Sequence, residues 1–204
     1  DNNTFKNCHK LSHIDIPSNI TKICYYAFCN CTLVEIVIPN SVTTIGDGVF
    51  YGCKSLQKAG IPSSITVIEE SLFERCLSLK EIEIPSSVTK IRRFAFRECT
   101  SLVNIKIPSS VEIIENNVFT KCKSLVDIEL PPKLTELSDH LFSNCFMIKQ
   151  LIIPPSVTVI GEDAFYWCKS LLQIDIPPSV RKIKQTAFAN CISLTKVNLP
   201  SSLI

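Results

Sequence analysis

One sequence unit repeats along the whole chain with a period of about 23 residues. The unit reads Cys-x-Ser-Leu-x-x-Ile-x-Ile-Pro-x-Ser-Val-Thr-x-Ile-x-x-x-Ala-Phe-x-x, and one step, from Cys31 to Cys53, is a residue shorter. A fixed period in this range predicts a solenoid, in which each repeat is one coil and stacked coils share a core. The repeat cysteines are Cys8, Cys31, Cys53, Cys76, Cys99, Cys122, Cys145, Cys168 and Cys191, and a phenylalanine precedes each of them by three residues.

The repeat runs without a linker, so we expect a single array over residues 1–204, with about eight full repeats and a partial ninth. The chain begins at Asp1 and stops within a coil at Ile204, which suggests a fragment of a longer protein. Apolar residues make up 46% and charged residues 20%, enough for a core. The net charge of +2 gives nucleic-acid binding no electrostatic support, and no apolar run is long enough for a transmembrane helix.

The coil from Cys76 to Glu98 illustrates the local structure that we expect in every repeat. Alternation over residues 79–84 predicts a strand with Leu79, Ile82 and Ile84 buried. Pro85 ends that strand because it has no N–H to donate. Residues 88–91 alternate again and predict a second, shorter strand.

The end of the same coil carries a different spacing. Ile91, Ala95, Phe96 and Cys99 stand at i, i+4, i+5 and i+8, which predicts about two turns of helix. The resulting fold class is α/β: a solenoid with a parallel sheet on one face and short second strands and helical turns on the other. Parallel crossovers are nearly always right-handed, so we expect a right-handed superhelix.

Eleven cysteines raise the question of disulfides, but nine of them belong to the repeat. A cysteine at the same place in every coil, beside Phe and Leu, is typical of a small buried apolar residue. Cys24 and Cys29 lie outside the repeat and could bridge each other or join Cys31 at a metal. The metal alternative is weak, as is a zinc set of Cys8, His9 and His13, since no complete ligand set is present. We therefore predict no metal and no cofactor.

The segment Leu-x-x-Ile-x-Ile-Pro, followed by Ser-Val-Thr-x-Ile-Gly-x-x-Ala-Phe-x-x-Cys, resembles the BspA-like class of leucine-rich repeats. The pattern is clear at Ile45–Phe50 and Ile160–Phe165, and the resemblance covers nearly all of the chain. It implies a horseshoe-like solenoid with the main sheet on the concave face, no catalytic residues, and frequent use as a bacterial or protist surface protein that binds host matrix proteins or other cells. The sequence departs from the pattern at Cys24, which takes the usual Gly place, and at Ala59-Gly60, where we expect a weaker strand.

The outward positions of the main sheet are the two residues that flank the central apolar residue of each strand. Acids outnumber lysines there by seven to three, which favours a basic or polar protein partner, although any solvated sheet face needs polar residues. The residues that we predict to contact a partner on this face are Glu35, Lys58, Glu81, Glu83, Lys106, Asp127, Glu129 and Asp175.

Two further surface features appear on the opposite side. Tyr166 and Trp167 form an aromatic pair that could anchor a partner, although packing between coils is the commoner fate of such residues. One coil also carries a basic cluster that could bind an anion, formed by Lys90, Arg92, Arg93 and Arg97. Acids in neighbouring coils instead favour an ion-paired, solvated face; these acids are Glu69, Glu70, Glu74 and Glu115.

No nucleophile–base set, Gly-rich phosphate loop or nucleic-acid motif is recognisable, so the sequence predicts a non-enzymatic protein-binding module. The leading hypothesis is adhesion or ligand recognition at the cell surface or after secretion, and sequons at Asn2, Asn19 and Asn30 could then carry glycans. The alternative is an intracellular interaction scaffold, because the cysteines read as reduced and no export signal is visible. Apolar solenoid ends could also support self-association.

Overall fold

Each repeat forms one coil in the computed structural model, which describes residues 1–204. We number the coils by their repeat cysteine, so that coil 1 begins at Cys8, coil 4 at Cys76 and the partial coil 9 at Cys191. The buried apolar side chains of all coils form one continuous cluster of 56 residues. No coil could bury its apolar face alone, and the stacking predicted from the period is confirmed.

Six coils contribute a main strand of three residues. In each of them the central side chain is buried and its two neighbours are exposed, except in the terminal coil 9, where all three are exposed. Main strands pair in parallel and in register, as in Glu35↔Lys58 and Lys106↔Glu129. The strand at Lys58–Gly60 pairs along its whole length with Glu35–Val37, whereas a single bridge from Gly60 to Glu83 joins it to coil 4. The weakening expected at Ala59-Gly60 is therefore present on one side of the strand only. The main strands are Glu35–Val37, Lys58–Gly60, Asn104–Lys106, Asp127–Glu129, Gln173–Asp175 and Lys196–Asn198, with single bridges at Glu83.

The predicted second strands are also present, each two residues long, and they pair in parallel with their equivalents one coil away. They begin just after the turn that follows the repeat proline. They are Lys22–Ile23, Thr44–Ile45, Val67–Ile68, Lys90–Ile91, Ile113–Ile114, Glu136–Leu137, Val159–Ile160 and Lys182–Ile183.

The predicted helical turns are absent, and the α/β assignment was wrong: the fold is an all-β parallel solenoid. In coil 4 the N–H groups of Phe94, Phe96 and Glu98 donate to carbonyls of the next coil at 2.9–3.4 Å. The intervening N–H groups close tight i→i+3 turns. An α-helix would close all of these bonds within its own segment, so hydrogen bonding between coils prevents the helix that the spacing suggested.

This succession of turns, which we call the turn side of the solenoid, requires two residues per coil with positive φ, four positions apart. Gly48 and Gly52 satisfy this requirement in coil 2, while Phe94 and Glu98 adopt it in coil 4. Left-handed backbone is costly for residues with a Cβ other than Asn and Asp. The other residues with positive φ are Asn3, Asn7, Tyr26, Asn30, Ser71, Arg75, Asn117, Lys121, His140, Asn144, Asp163, Trp167, Thr186 and Asn190.

Two ladders run through the core along the solenoid axis. The repeat phenylalanines stack ring on ring, with centroids 5.1–5.8 Å apart from Phe5 to Phe188. Beside them, each repeat cysteine from Cys31 to Cys191 donates its Sγ–H to a phenylalanine carbonyl of the preceding coils at 3.0–3.2 Å. The Phe96 carbonyl, for example, accepts from the Cys99 N–H and from the Cys122 thiol. The thiol therefore satisfies a second lone pair that Ala would leave unpaired.

All eleven cysteines are free thiols, including Cys24 and Cys29. The repeat cysteines from Cys31 onward are buried, as predicted, whereas Cys8 is exposed because no coil covers it on its outer side. Burial raises the pKa of Cys53 to about 12 and that of Cys31 to about 11. Burial also raises the pKa of the fully enclosed thiols well above its ordinary value, as at Cys76.

Candidate functional site

We call the surface formed by the exposed residues of the main strands the main-sheet face. The eight residues predicted to contact a partner all lie on it with exposed side chains. Strand register sets their neighbours: Lys106 lies between Glu83 and Glu129 on adjacent strands, and Lys58 lies beside Glu35. In-register parallel strands are about 4.8 Å apart. The fold therefore assembles residues that are far apart in sequence into one continuous polar surface.

The acids of this face are not neutralised within the molecule. Glu81, Glu83 and Asp127 form no ion pair with the neighbouring lysines, and neither do Glu35, Glu129 and Asp175. The only contact between a basic and an acidic side chain on the face joins His13 Nε2 and Asp15 Oδ1 at 3.2 Å, near the amino end. An exposed carboxylate that lacks a protein partner is solvated and remains available to an external cation.

The acids of the turn side behave differently, since seven of them pair with a basic side chain. The cluster Lys90, Arg92, Arg93 and Arg97 is neutralised in this way, as expected from the neighbouring acids, with N···O distances of 2.6–3.2 Å. A hydrogen bond from Lys121 lowers the pKa of Glu98 and holds that carboxylate charged. This cluster thus offers no free basic patch. The paired acids of the turn side are Glu69, Glu70, Glu74, Glu98, Glu115, Asp139 and Asp163.

The main sheet is interrupted in coil 7. Residues 150–153 form no strand, and none of their backbone N–H or C=O groups bonds to another backbone group. The main strands of coil 6 and coil 8 pair only on their far sides, with Asn104–Lys106 and Lys196–Asn198 respectively. Buried backbone polar groups need partners, so this stretch keeps access to water or to a ligand.

A groove of about 810 Å³ opens over the interruption. Its floor carries Ile152, whose side chain is 87% exposed although the equivalent position is polar in most other coils. Glu129 and Asp175 stand on either side of it, one coil away in each direction. A smaller depression of about 200 Å³ continues between coils 5 and 6. The groove is lined on one side by the doubled prolines Pro132, Pro154, Pro155, Pro177 and Pro178.

Sequence reasoning noted Ile152 as an outward residue but did not select it as a contact. The signal was present, since an apolar side chain at a solvent-facing strand position breaks the pattern of a half-buried strand. The interruption of the sheet could not be read from the sequence, because Leu151–Pro154 has the same spacing of two apolar residues and a proline as the paired coils.

The aromatic pair on the turn side is half-buried. Tyr166 and Trp167 meet edge to face at a centroid distance of 6.3 Å. The Lys169 ammonium lies 4.5 Å from the Trp167 ring and 4.8 Å from the Phe146 ring. One aromatic surface is therefore already occupied by a cation of the same chain, which leaves less of Trp167 free for a partner.

The structure brings no group of three or more His, Cys, Asp or Glu side chains together in an arrangement suited to a metal ion. It also contains no helical segment with the length and apolarity that a bilayer crossing requires.

The profile of the BspA type leucine rich repeat region matches the chain in six copies, over residues 1–119 and 89–204. No curated protein sequence matches it. Among solved structures, the chain is similar to a leucine rich cell surface protein from Faecalibacterium prausnitzii, with 31% identity and a TM-score of 0.67. That alignment covers 97% of this chain and 56% of the other, so the chain spans little more than half of that relative.

Two other solved structures share the fold. A leucine-rich repeat protein from Bacteroides ovatus is 28% identical, with a TM-score of 0.67, over 100% of this chain and 70% of the other. The leucine rich repeat protein of T. pallidum is 26% identical, with a TM-score of 0.75, over 91% of this chain and 88% of the other. Both are bacterial, and both share its architecture along nearly the full array.

Proposed function

Because this chain belongs to the BspA-type leucine-rich-repeat family, we propose that it is a protein-binding module whose main-sheet face contacts a basic or polar partner. Repeat proteins of this kind generally serve as non-enzymatic interaction modules, and a solenoid provides a long surface in place of an enclosed pocket. The proposed contacts are the eight residues Glu35, Lys58, Glu81, Glu83, Lys106, Asp127, Glu129 and Asp175.

The observation that carries this proposal is the contrast between the two sides of the solenoid. On the turn side, acids such as Glu69 and Glu74 are already paired with arginines of the next coil. On the main-sheet face, acids such as Glu81 and Asp127 have no such partner, although lysines stand on nearby strands. Unneutralised charge on a recognition surface steers and selects a partner of opposite charge.

Charge reversal on the main-sheet face should strongly weaken partner binding. Proteins retained by the immobilised chain at physiological ionic strength would be identified, and the affinity of each purified partner would be measured. Changing Glu81, Glu83, Asp127 and Glu129 to Lys should weaken binding on the order of 100-fold, because four favourable contacts become repulsive.

The matched control makes the same change in net charge elsewhere. It carries Lys at Asp1, Glu112, Glu136 and Glu162, which are exposed and lie off the main-sheet face. This control should bind within about twofold of the native chain, since distant exposed charges are screened by salt. Equal losses in both variants would show only a general charge effect and would contradict the proposal.

We further propose that the module acts at the cell surface or after secretion, in adhesion or ligand recognition. Support comes from the relative described as a cell surface protein, of which this chain spans 56%. A host matrix protein or another cell-surface protein is the partner class that this proposal implies, with Tyr166 and Trp167 as a secondary contact. Labelling of intact cells with a membrane-impermeant reagent should modify the protein, and a purely cytosolic pool would contradict this location.

An intracellular interaction scaffold is the second candidate, favoured by the eleven free thiols of the structure. Disulfides are typical of oxidising compartments and rare in reducing ones. Thiol counting on denatured protein from its native source distinguishes the two: a bridge at Cys24 or Cys29 excludes the scaffold, while eleven free thiols support it.

A further inference from the structure

We propose that the groove over coils 6–8 binds an extended peptide segment of the partner in which one apolar side chain stands between two basic residues. This inference rests on the proposed protein-binding function and specifies its central contact. The groove combines an exposed apolar residue, carboxylates that form no ion pair (that of Asp175 accepts a hydrogen bond from the Asn198 amide) and backbone groups without a backbone partner. Each of these selects a different part of such a segment.

Ile152 selects the apolar side chain. It is 87% exposed, whereas the side chains that flank it within the coil, Leu151 and Ile153, are buried in the core. Single exposed apolar residues are common on protein surfaces, but this one lies within a concavity whose wall is formed by prolines such as Pro155 and Pro178. An apolar side chain entering the groove would cover Ile152 and gain about 25 cal/mol per Å² of apolar surface removed from water.

Glu129 and Asp175 select the basic residues. They occupy the same outward position as Ile152 in the coils before and after it, so they lie about 10 Å apart, or two strand spacings. In an extended peptide, residues i, i+2 and i+4 face the same side and span about 13 Å. Flexible Lys or Arg side chains at i and i+4 can reach carboxylates about 10 Å apart while residue i+2 meets Ile152.

Asp127 adds a third carboxylate at the coil 6 end of the groove, and Gln150 and Gln173 supply neutral hydrogen-bonding groups beside it. No lysine or arginine lines the groove, so its charge complements a cationic segment. Exposed Lys149 directly precedes Gln150 at the rim of the groove, and the main-sheet lysines Lys106 and Lys196 stand on the strands beyond it.

The backbone of residues 150–153 favours a peptide over a purely hydrocarbon ligand. Its N–H and C=O groups make no backbone hydrogen bond, so they remain available to hydrogen-bond individual polar groups of a peptide that crosses the strands above them. The doubled prolines beside them have no N–H to donate and hold their φ angles fixed, which keeps the groove preformed and lowers the entropy lost on binding.

The test uses a displayed library of random linear peptides selected on the full chain, followed by affinity measurement of the enriched peptides as synthetic molecules. We expect enriched sequences with Lys or Arg at i and i+4 and an apolar residue at i+2. Ile152→Asn, Glu129→Lys and Asp175→Lys should each weaken their binding about tenfold or more. Enrichment of peptides without basic residues, or no enrichment, would overturn the inference.

Val37→Asn is the matched control, because Val37 occupies the same outward position in coil 2 and is 76% exposed. This variant should bind the enriched peptides like the native chain. If Glu81→Lys and Glu83→Lys weaken binding while Ile152→Asn does not, the main-sheet face binds its partner outside the groove. In that outcome the proposed function stands and the groove inference fails. All of these side chains are exposed, and unchanged thermal unfolding would confirm that each variant folds.

Discussion

Raising the pH from 9 to 10 should lower the free energy of unfolding of this protein by about 6 kcal/mol. The cause is the row of enclosed thiols, whose pKa burial raises far above the ordinary value of 9.0. In the unfolded chain these thiols ionise around pH 9, while in the folded chain they keep their protons. Six thiols at about 1 kcal/mol each over this interval give the total. The six are Cys53, Cys76, Cys99, Cys122, Cys145 and Cys168.

The sign follows from proton linkage. A raised folded pKa means that the folded state holds more protons than the unfolded state above pH 9, so stability falls as the pH rises. This contribution to stability is complete below about pH 9. It disappears as the pH approaches the pKa of each thiol in the folded chain, which is about 11 for Cys31 and about 12 for Cys53. We therefore expect the buried thiols to limit the stability of the fold at alkaline pH.

Urea unfolding under reducing conditions at several pH values between 8 and 10.5 would measure the effect. A variant with Cys122→Ala and Cys145→Ala provides the control: its starting stability is lower, but its slope against pH should be shallower by about two protons. A free energy of unfolding that is flat from pH 9 to 10, or a slope unchanged in the variant, would show that these thiols ionise in the folded chain.

Replacing a central phenylalanine of the stacked row should be the most damaging single substitution. Phe119 is fully buried and stacks between Phe96 at 5.8 Å and Phe142 at 5.7 Å. Phe119→Ala should destabilise the array by about 3–5 kcal/mol through lost burial and the cavity left behind. Loss of two stacking contacts adds to this. Denaturant unfolding of native chain and variant measures the difference.

Phe5→Ala is the matched control at the end of the same row. Phe5 is 36% exposed and stacks on one neighbour only, Phe28. Its loss should cost about 1 kcal/mol or less, because little area is buried and no enclosed cavity results. Similar losses in the free energy of unfolding for Phe5→Ala and Phe119→Ala would mean that the rings do not share a closed interior.

The period of the sequence predicts most of this architecture because each coil can bury its apolar residues only against its neighbours. Leu79, Ile82 and Ile84 are buried as the alternation indicated, and both sets of parallel strands are present. The cysteine assignment is also confirmed from Cys31 onward. The sequence alone did not show the thiol-to-carbonyl bonds, although the presence of Cys in every repeat, and never Ala, was a signal of them.

The helical segment was mispredicted for a physical reason. Ile91, Ala95, Phe96 and Cys99 all point inward, as the spacing required. Side-chain periodicity does not reveal where backbone N–H groups bond, and here every second one bonds to the next coil. Positive φ at Phe94 and Glu98 allows this arrangement, and neither residue type signals it in a sequence.

The candidate site was predictable in position but not in shape. Strand alternation identified the outward residues, including Glu129 and Asp175, and the structure places them on one exposed face. The groove lies where the strand pairing of coil 7 is missing, and this backbone arrangement between coils leaves no signature in the residue pattern. The role of Glu129, Asp175 and the other outward residues in partner binding remains a proposal that charge reversal tests.

Every proposal above requires that segments one period apart stack on each other around a dry interior, and thiol accessibility tests this directly. The native protein would be treated with a small maleimide, and modified residues would be mapped by mass spectrometry. In the native protein, exposed Cys8 and half-buried Cys24 should react rapidly, and the nine buried thiols should be protected. After denaturation, all eleven thiols should react. Modification of Cys76 or Cys122 in the native protein as fast as in the denatured protein would contradict the account.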